Sequence, residues 1–344
     1  MGTRRRRVSV IYFIAKLVKW DDLRMEIISN PTQVEIKKAA QALKEGHLVA
    51  FPTETVYGLG ADANNEVAIR RIYEVKGRPN NHPLIVHIAS VSDLDKWTVK
   101  VPDYAKNLAS AFWPGPMTLI LARSKLANNF ITGWQDNVGI RVPSHPIAQA
   151  LLMEFQKIGG NGIAAPSANR FGAVSPTTVD AVQDELEHFL NKSDLVLNGG
   201  TCDIGLESTI INCTGDTPSI LRSGAITKRM IEIFCDIEIE VQNKNTTIKT
   251  SGMLHSHYSP KAKVVLDSIA SVGDGLMALA EIPTPSGCIR LLSPKTIGEF
   301  AKNFYGALRL GDKKNLNKIV IILPLGEGLA EAIRDRAVKA SAGK

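Results

Sequence analysis

Residues 51–60 read FPTETVYGLG. The apolar run Leu48 to Phe51 predicts a short strand, and Pro52 ends it, because proline cannot donate to a sheet ladder. Past the break come small hydroxyls and the turn Gly58-Leu59-Gly60. Hydroxyls and glycine-rich turns just beyond a strand are what a site for a phosphorylated ligand needs. The glycine pair alone is a weak signal. No full G-x-G-x-x-G and no Walker A loop occurs in the chain.

Upstream, Val34, Ile36, Ala39, Ala40 and Leu43 have helical spacing between Pro31 and the stop at Gly46. Downstream, Asn64 or Asn65 caps a helix carrying Val67, Ile69, Ile72 and Val75. Lys76-Gly77-Arg78 closes that helix. A cation there is favoured by the helix dipole, which accounts for either residue alone. The two together, before Pro79, ask for more. Further strands are predicted over Leu84–Ile88, Met117–Ala122, Val138–Val142, Gly162–Ala165, Leu195–Leu197, Thr209–Asn212 and Ser219–Leu221. Helices are predicted over Tyr104–Phe112, Ile147–Phe155 and Lys228–Phe234. The two kinds do not alternate strictly, so the fold class is α/β with a twisted mixed sheet rather than a doubly wound one. Gln242 to Pro260 is polar and reads as a linker. Beyond it, strands at Lys263–Leu266, Gly287–Leu292 and Lys318–Leu323 alternate with helices near Ser268–Ala280, Thr296–Leu308 and Leu329–Ser341, giving a small parallel Rossmann-like α/β domain.

The chain has 344 residues, 44% hydrophobic and 22% charged, as expected of a globular protein with room for two domains. The net charge is +5 over residues 1–24, −3 over 25–250 and +5 over 251–344. A duplex-binding module is more often basic across a whole face. The four cysteines form no C-x-x-C pair, which points to a reducing, cytoplasmic compartment and to no structural metal. His255 and His257 have no acidic or Cys partner nearby and read as surface or linker histidines. At the N-terminus, four arginines precede an apolar run from Val8 to Ala15. That run is too short for a bilayer, which takes roughly 20 residues. Residues 1–24 read as a dispensable basic extension with no membrane role.

Lys76-Gly77-Arg78 stands about ninety residues before Ser167-Ala168-Asn169. Between and around them lie HPLIVH (His82–His87), FWPGPMTLIL (Phe112–Leu121), GIRVPSHP (Gly139–Pro146) and ESTII (Glu207–Ile211). This ordered series resembles the YrdC-like family, and the chain from Met25 on resembles its long, two-domain form, the threonylcarbamoyl-AMP synthases. The resemblance implies a catalytic domain over 25–241, a linker or lid over 242–260 and a C-terminal domain over 261–344. It implies a nucleotidyl transfer in which L-threonine, bicarbonate and ATP, with Mg²⁺, give threonylcarbamoyl-AMP and pyrophosphate. The product feeds a tRNA threonylcarbamoyl-transferase complex; direct tRNA binding is left open.

By the same resemblance, Lys76, Arg78, Ser167 and Asn169 form the catalytic signature. Arg78, His82, Asn137, Ser167, Ser175, Arg222 and Tyr258 are expected at ATP, with Asn137 standing where some relatives carry Thr. Thr55, His87, Arg141, Ala165 and Ser208 are expected at threonine, with Arg141 facing its carboxylate. Each residue also has a bland reading: Thr55 and Ser208 as turn caps, Ser175 before Pro176 as a helix N-cap, His87 as a satisfied core histidine, Arg141 as a surface ion pair. The rival function is an RNA-binding module of the same fold without catalysis. A threonine-type group has no role in such a module.

Overall fold

The protein is described by a computed structural model covering residues 25–241, 248–250, 252 and 257–343. The basic extension, His255 and most of the linker fall outside these residues. Eleven strands make the larger sheet. In spatial order they are β1 (Glu26–Ser29), β8 (Leu195–Asn198), β2 (Val49–Phe51), β3 (Gly58–Asp62), β7 (Ile163–Ala164), β4 (Ile85–His87), β6 (Asn137–Arg141), β5 (Met117–Ala122), β9 (Thr209–Asn212), β10 (Ser219–Arg222) and β11 (Glu240–Val241). Pairing is mixed: β1–β8, β8–β2, β4–β6, β5–β9 and β10–β11 are parallel, and the other neighbours antiparallel.

Residues 49–62 build the middle of this sheet. Pro52 ends β2 as expected, and the chain returns antiparallel as β3, pairing Phe51 with Gly58 and Val49 with Gly60. That return strand carries little β-propensity, so its sequence does not announce it. Gly60 is needed for closeness: a Cβ there would lie 2.7 Å from Ile163 Cγ2 and 2.8 Å from Phe51 Cε1. Gly58 forms a bridge to Ser167. Leu59 N donates to Pro166 O at 2.8 Å, and Ala168 N donates to Tyr57 O at 2.8 Å. The expected glycine turn is thus a strand that fastens one signature segment to another, and no phosphate loop is made of it.

The flanking helices are Gln33–Lys44 and Glu66–Lys76, the second capped by Asn65, whose Oδ1 accepts from Ala68 N at 3.1 Å. Ile36, Ile69 and Ile72 are buried, whereas Val34 and Val67 are 75% and 72% exposed, against the expected apolar face. Both sit in the first turn, before the helix settles onto the sheet. Fully buried Asp194 ties the sheet to the second helix. It receives Arg71, Leu48 N at 2.9 Å and Asn191 N at 2.8 Å.

The second sheet has the order β12 (Lys263–Leu266), β15 (Lys318–Ile321), β13 (Gly275–Met277), β14 (Ile289–Leu292), all parallel. Helices Ile297–Lys313 and Leu329–Ser341 accompany it as expected. The helix expected near Ser268–Ala280 is replaced by β13. Gly273 takes φ 85°, and a Cβ at Gly275 would meet Leu291 Cδ1 at 2.5 Å, so the chain packs here as a strand. Short apolar runs do not separate helix from strand by period alone. Among the described residues no helix is long and apolar enough to cross a membrane.

Replacing Asp194 with Ala leaves Arg71 and two backbone donors without their acceptor. A loss of about 3 kcal/mol of unfolding free energy is expected, the lower end for a broken buried pair because Arg71 is part-exposed. A urea midpoint equal to the wild-type value would contradict this role.

Candidate active site

The helix Glu66–Lys76 stops at Gly77, whose φ of 61° is left-handed. A Cβ at this position would lie 2.8 Å from Arg170 Nη2, so glycine serves both the turn and the contact. The two basic residues around it diverge. Lys76 is 2% exposed, and its Nζ donates to Ser167 O at 2.6 Å and to Asn169 O. Burial, with Arg78 adding to it, holds its ammonium well below the usual lysine range. Asn169 is buried too, its Nδ2 donating to Arg170 O at 2.7 Å and Ala173 O at 2.9 Å. Lys76 and Asn169 thus shape the Ser-x-Asn loop from behind and do not line the cavity. Arg78 does line it. Its Nη2 donates to Pro83 O at 2.9 Å and its guanidinium lies over Phe171, 5.8 Å from the centroid. Burial lowers its pKa to about 10, so it keeps its charge.

The same cavity gathers Thr55, His87, Arg141, Ala165, Ser167, Ser208, Arg222 and Tyr258 from segments scattered over some two hundred residues. Arg141 stands at the end of β6 and is buried, not on the surface. Its Nη2 bonds Glu54 Oε1 at 2.7 Å, and Glu54 Oε2 accepts from Ser144 N at 3.1 Å. Arg141 Nε has no hydrogen-bond partner among the described residues. His87 at the end of β4 has an Nδ1 without a hydrogen-bond partner among the described residues and meets the Phe51 ring edge-on at 6.1 Å. Burial, then the charge of Arg141, push its pKa from 6.5 to about 3. Thr55 Oγ1 shares a hydrogen bond with Thr53 Oγ1 at 2.9 Å. Ser208 Oγ lies 2.8 Å from Thr118 Oγ1 and accepts from Arg222 Nη2 at 3.1 Å.

Three expected ATP residues lie elsewhere. His82 packs edge-on at 5.4 Å against Phe171, the ring that Arg78 also meets. Asn137 opens β6 and lines an adjoining depression with Lys249 and Thr250, which shares Ile85 with the main cavity. Ser175 is fully buried and donates to Glu207 Oε1 at 2.6 Å; the N-cap of the nearby helix Val179–Leu186 is Thr178. From the linker, Gly252, His257 and Tyr258 reach the wall. Tyr258 is 1% exposed, at φ 62°, with its ring 5.4 Å from that of Tyr305. Glu54 and Glu207 were legible as acids inside quoted motifs but carried no expected role. Tyr305 and Arg336, which meet Glu207, had no local signal at all. Among the described residues no group of three or more His, Cys, Asp or Glu could hold a metal ion.

Fold and cavity define a two-part α/β protein with an arginine-lined small-molecule site on its larger sheet. The family described as "Telomere recombination" matches residues 41–224, and that described as "Threonylcarbamoyl-AMP synthase, C-terminal domain" matches 226–342. A threonylcarbamoyl-AMP synthase of Pyrococcus abyssi is 39% identical over 89% of this chain and 94% of its own. One of Bacillus subtilis is 36% identical over 94% of this chain and 97% of its own. The solved structure of P. abyssi Sua5 complexed with L-threonine superposes with a TM-score of 0.83, at 33% identity, covering 93% of this chain and 98% of that one. The chain belongs to the threonylcarbamoyl-AMP synthase family, in its long two-domain form.

His87 and His257 both have pKa values pushed to about 3, by burial first. Between pH 6.5 and 5 the unfolded chain takes up protons that the folded chain refuses, so stability is full above 6.5 and falls as the pH drops. His87→Gln is expected to remove about 1 kcal/mol per pH unit from that slope. An unchanged slope of unfolding free energy between pH 6.5 and 5 would show that His87 titrates normally.

Proposed function

We propose that the cavity binds L-threonine and ATP side by side and forms threonylcarbamoyl-AMP. The observation that carries the reading is the meeting of the expected threonine residues with four of the seven expected ATP residues in one cavity, with Arg78, Arg141 and Arg222 around it. Arg141 receives the amino acid's carboxylate, with Thr55, His87 and Ser208 beside it. The imidazole of His87 is neutral at physiological pH and accepts or donates without adding charge. Arg78 and Arg222 face the triphosphate. Carbon dioxide from bicarbonate bonds the threonine nitrogen, which loses a proton, and gives a carbamate. A carbamate oxygen then bonds the α-phosphorus while the bond to the β-phosphate breaks, and pyrophosphate leaves with the electron pair. No side chain forms a covalent bond. Positioning and fixed cations supply the acceleration, as they do where charge moves onto a leaving phosphate.

Mg²⁺ enters with the nucleotide. Glu54 is held by Arg141, and Glu207 by Arg336 and Tyr305, so neither wall carboxylate is left over for an ion. Phosphate oxygens and water would supply its ligands, as is common for this cation. The four unpaired cysteines support a reducing, cytoplasmic setting. A tRNA threonylcarbamoyl-transferase complex would consume the product.

Pyrophosphate release is expected to require both L-threonine and bicarbonate. Equal release with serine, or without bicarbonate, would overturn the assignment. Arg141→Ala should weaken threonine roughly ten- to hundredfold, the worth of a charge-assisted carboxylate pair, and ATP far less. Because it also strands Glu54, the comparison is made in a Glu54→Gln background.

A further inference from the structure

The reaction as described leaves one buried acid without a part. Glu207 is in the cavity wall, 7% exposed, one residue before Ser208. Ser175 Oγ donates to its Oε1 at 2.6 Å, Tyr305 OH lies 3.1 and 2.9 Å from its two oxygens, and Arg336 Nε lies 3.2 Å from Oε2. Tyr305 and Arg336 come from the helices Ile297–Lys313 and Leu329–Ser341 of the second unit, and each is 0% exposed. Arg336 is braced in turn: Nη1 donates to Ser223 O and to Asp335 Oδ2, both at 2.8 Å, and the guanidinium lies 5.9 Å from the Tyr258 ring centroid. Across Glu207 stands Arg222, whose Nε donates to Ser208 O at 3.0 Å. Burial works to raise the Glu207 carboxyl, but Arg336 first and Arg222 second bring it down to about 2. It is an anion in the cavity wall, bonded by Arg336 of the second unit and in the field of Arg222, which belongs to the larger sheet.

We propose that Arg336 and Tyr305 are positioning residues: by satisfying Glu207 from the C-terminal unit, they leave the Arg222 guanidinium on Ser208 and turned to the ligand's phosphates. The inference rests on the reading of this cavity as a nucleotide site. Its physical basis is that a buried carboxylate without a partner takes the nearest cation. Without Arg336, Glu207 draws Arg222 off Ser208, and an unbalanced negative charge faces the incoming phosphates. The second unit thereby completes the charge of a site whose visible residues lie almost wholly outside it.

The test titrates the full-length chain with inorganic pyrophosphate plus Mg²⁺ and, separately, with L-threonine. Arg336→Met is expected to weaken pyrophosphate about tenfold and threonine less than about threefold. Adding Glu207→Gln to Arg336→Met removes the stranded charge and should bring pyrophosphate back to within about threefold of wild type. Tyr305→Phe keeps the packing and should show the same selective loss at about threefold, which preserves the test if Arg336→Met does not fold. Unchanged pyrophosphate affinity in the folded variants, equal loss of both ligands, or no recovery in the double variant would each overturn the proposal. So would a wild-type chain that binds no pyrophosphate. A wild-type chain that binds pyrophosphate but no threonine would instead sink the substrate assignment.

Discussion

A buried lysine organises the site. Lys76 sits at the end of its helix with almost no solvent, a placement that costs several kcal/mol in lost hydration. Two hydrogen bonds to the carbonyls of Ser167 and Asn169 offset that cost only while the loop stays where it is. The loop is held from its other side by the Gly58 bridge and by Ala168 N on Tyr57 O. Phe171 N then returns to Lys76 O at 2.8 Å. Helix end, loop and central strand are one fastening, and Arg78, two residues beyond Lys76, takes its direction from it.

A second fastening joins the two sheets. Arg336 and Tyr305 reach Glu207, and Arg309 pairs with Glu185 at 3.0 Å. Glu185 Oε2 in turn accepts from Arg170 N, the residue after Asn169. One link ends on the cavity wall at Glu207, the other at Arg170, three residues beyond Ser167. They are buried or half-buried, so solvent weakens them little compared with surface pairs. The C-terminal unit therefore bears on the site through Arg336 and Tyr305 at Glu207 and through Arg309 at Glu185.

Much of the architecture was open to reading. Proline and glycine marked the ends of β2 and the helix Glu66–Lys76, and apolar runs marked β5, β6, β9 and β15. What escaped had weak local signals. Strand β3 is glycine-rich and held by its neighbours. Strand β13 looked helical because a short apolar run fits either period. Val34 and Val67 fit an apolar stripe by spacing, yet lie in first turns that face water.

For the site, the ordered motifs determined which residue types assemble and in which family, because cations, hydroxyls and tight turns have chemistry that survives without coordinates. They did not determine direction. A lysine and an arginine at one helix end look alike in sequence, and only packing sent one to the loop carbonyls and the other to the cavity. Ser175 before a proline fits an N-cap, and only the fold set its hydroxyl against Glu207. The pairing of Glu207 with Arg336 joins residues 129 positions apart. No local pattern encodes such a pair, since its partner is chosen by which helix face the second sheet turns toward the first.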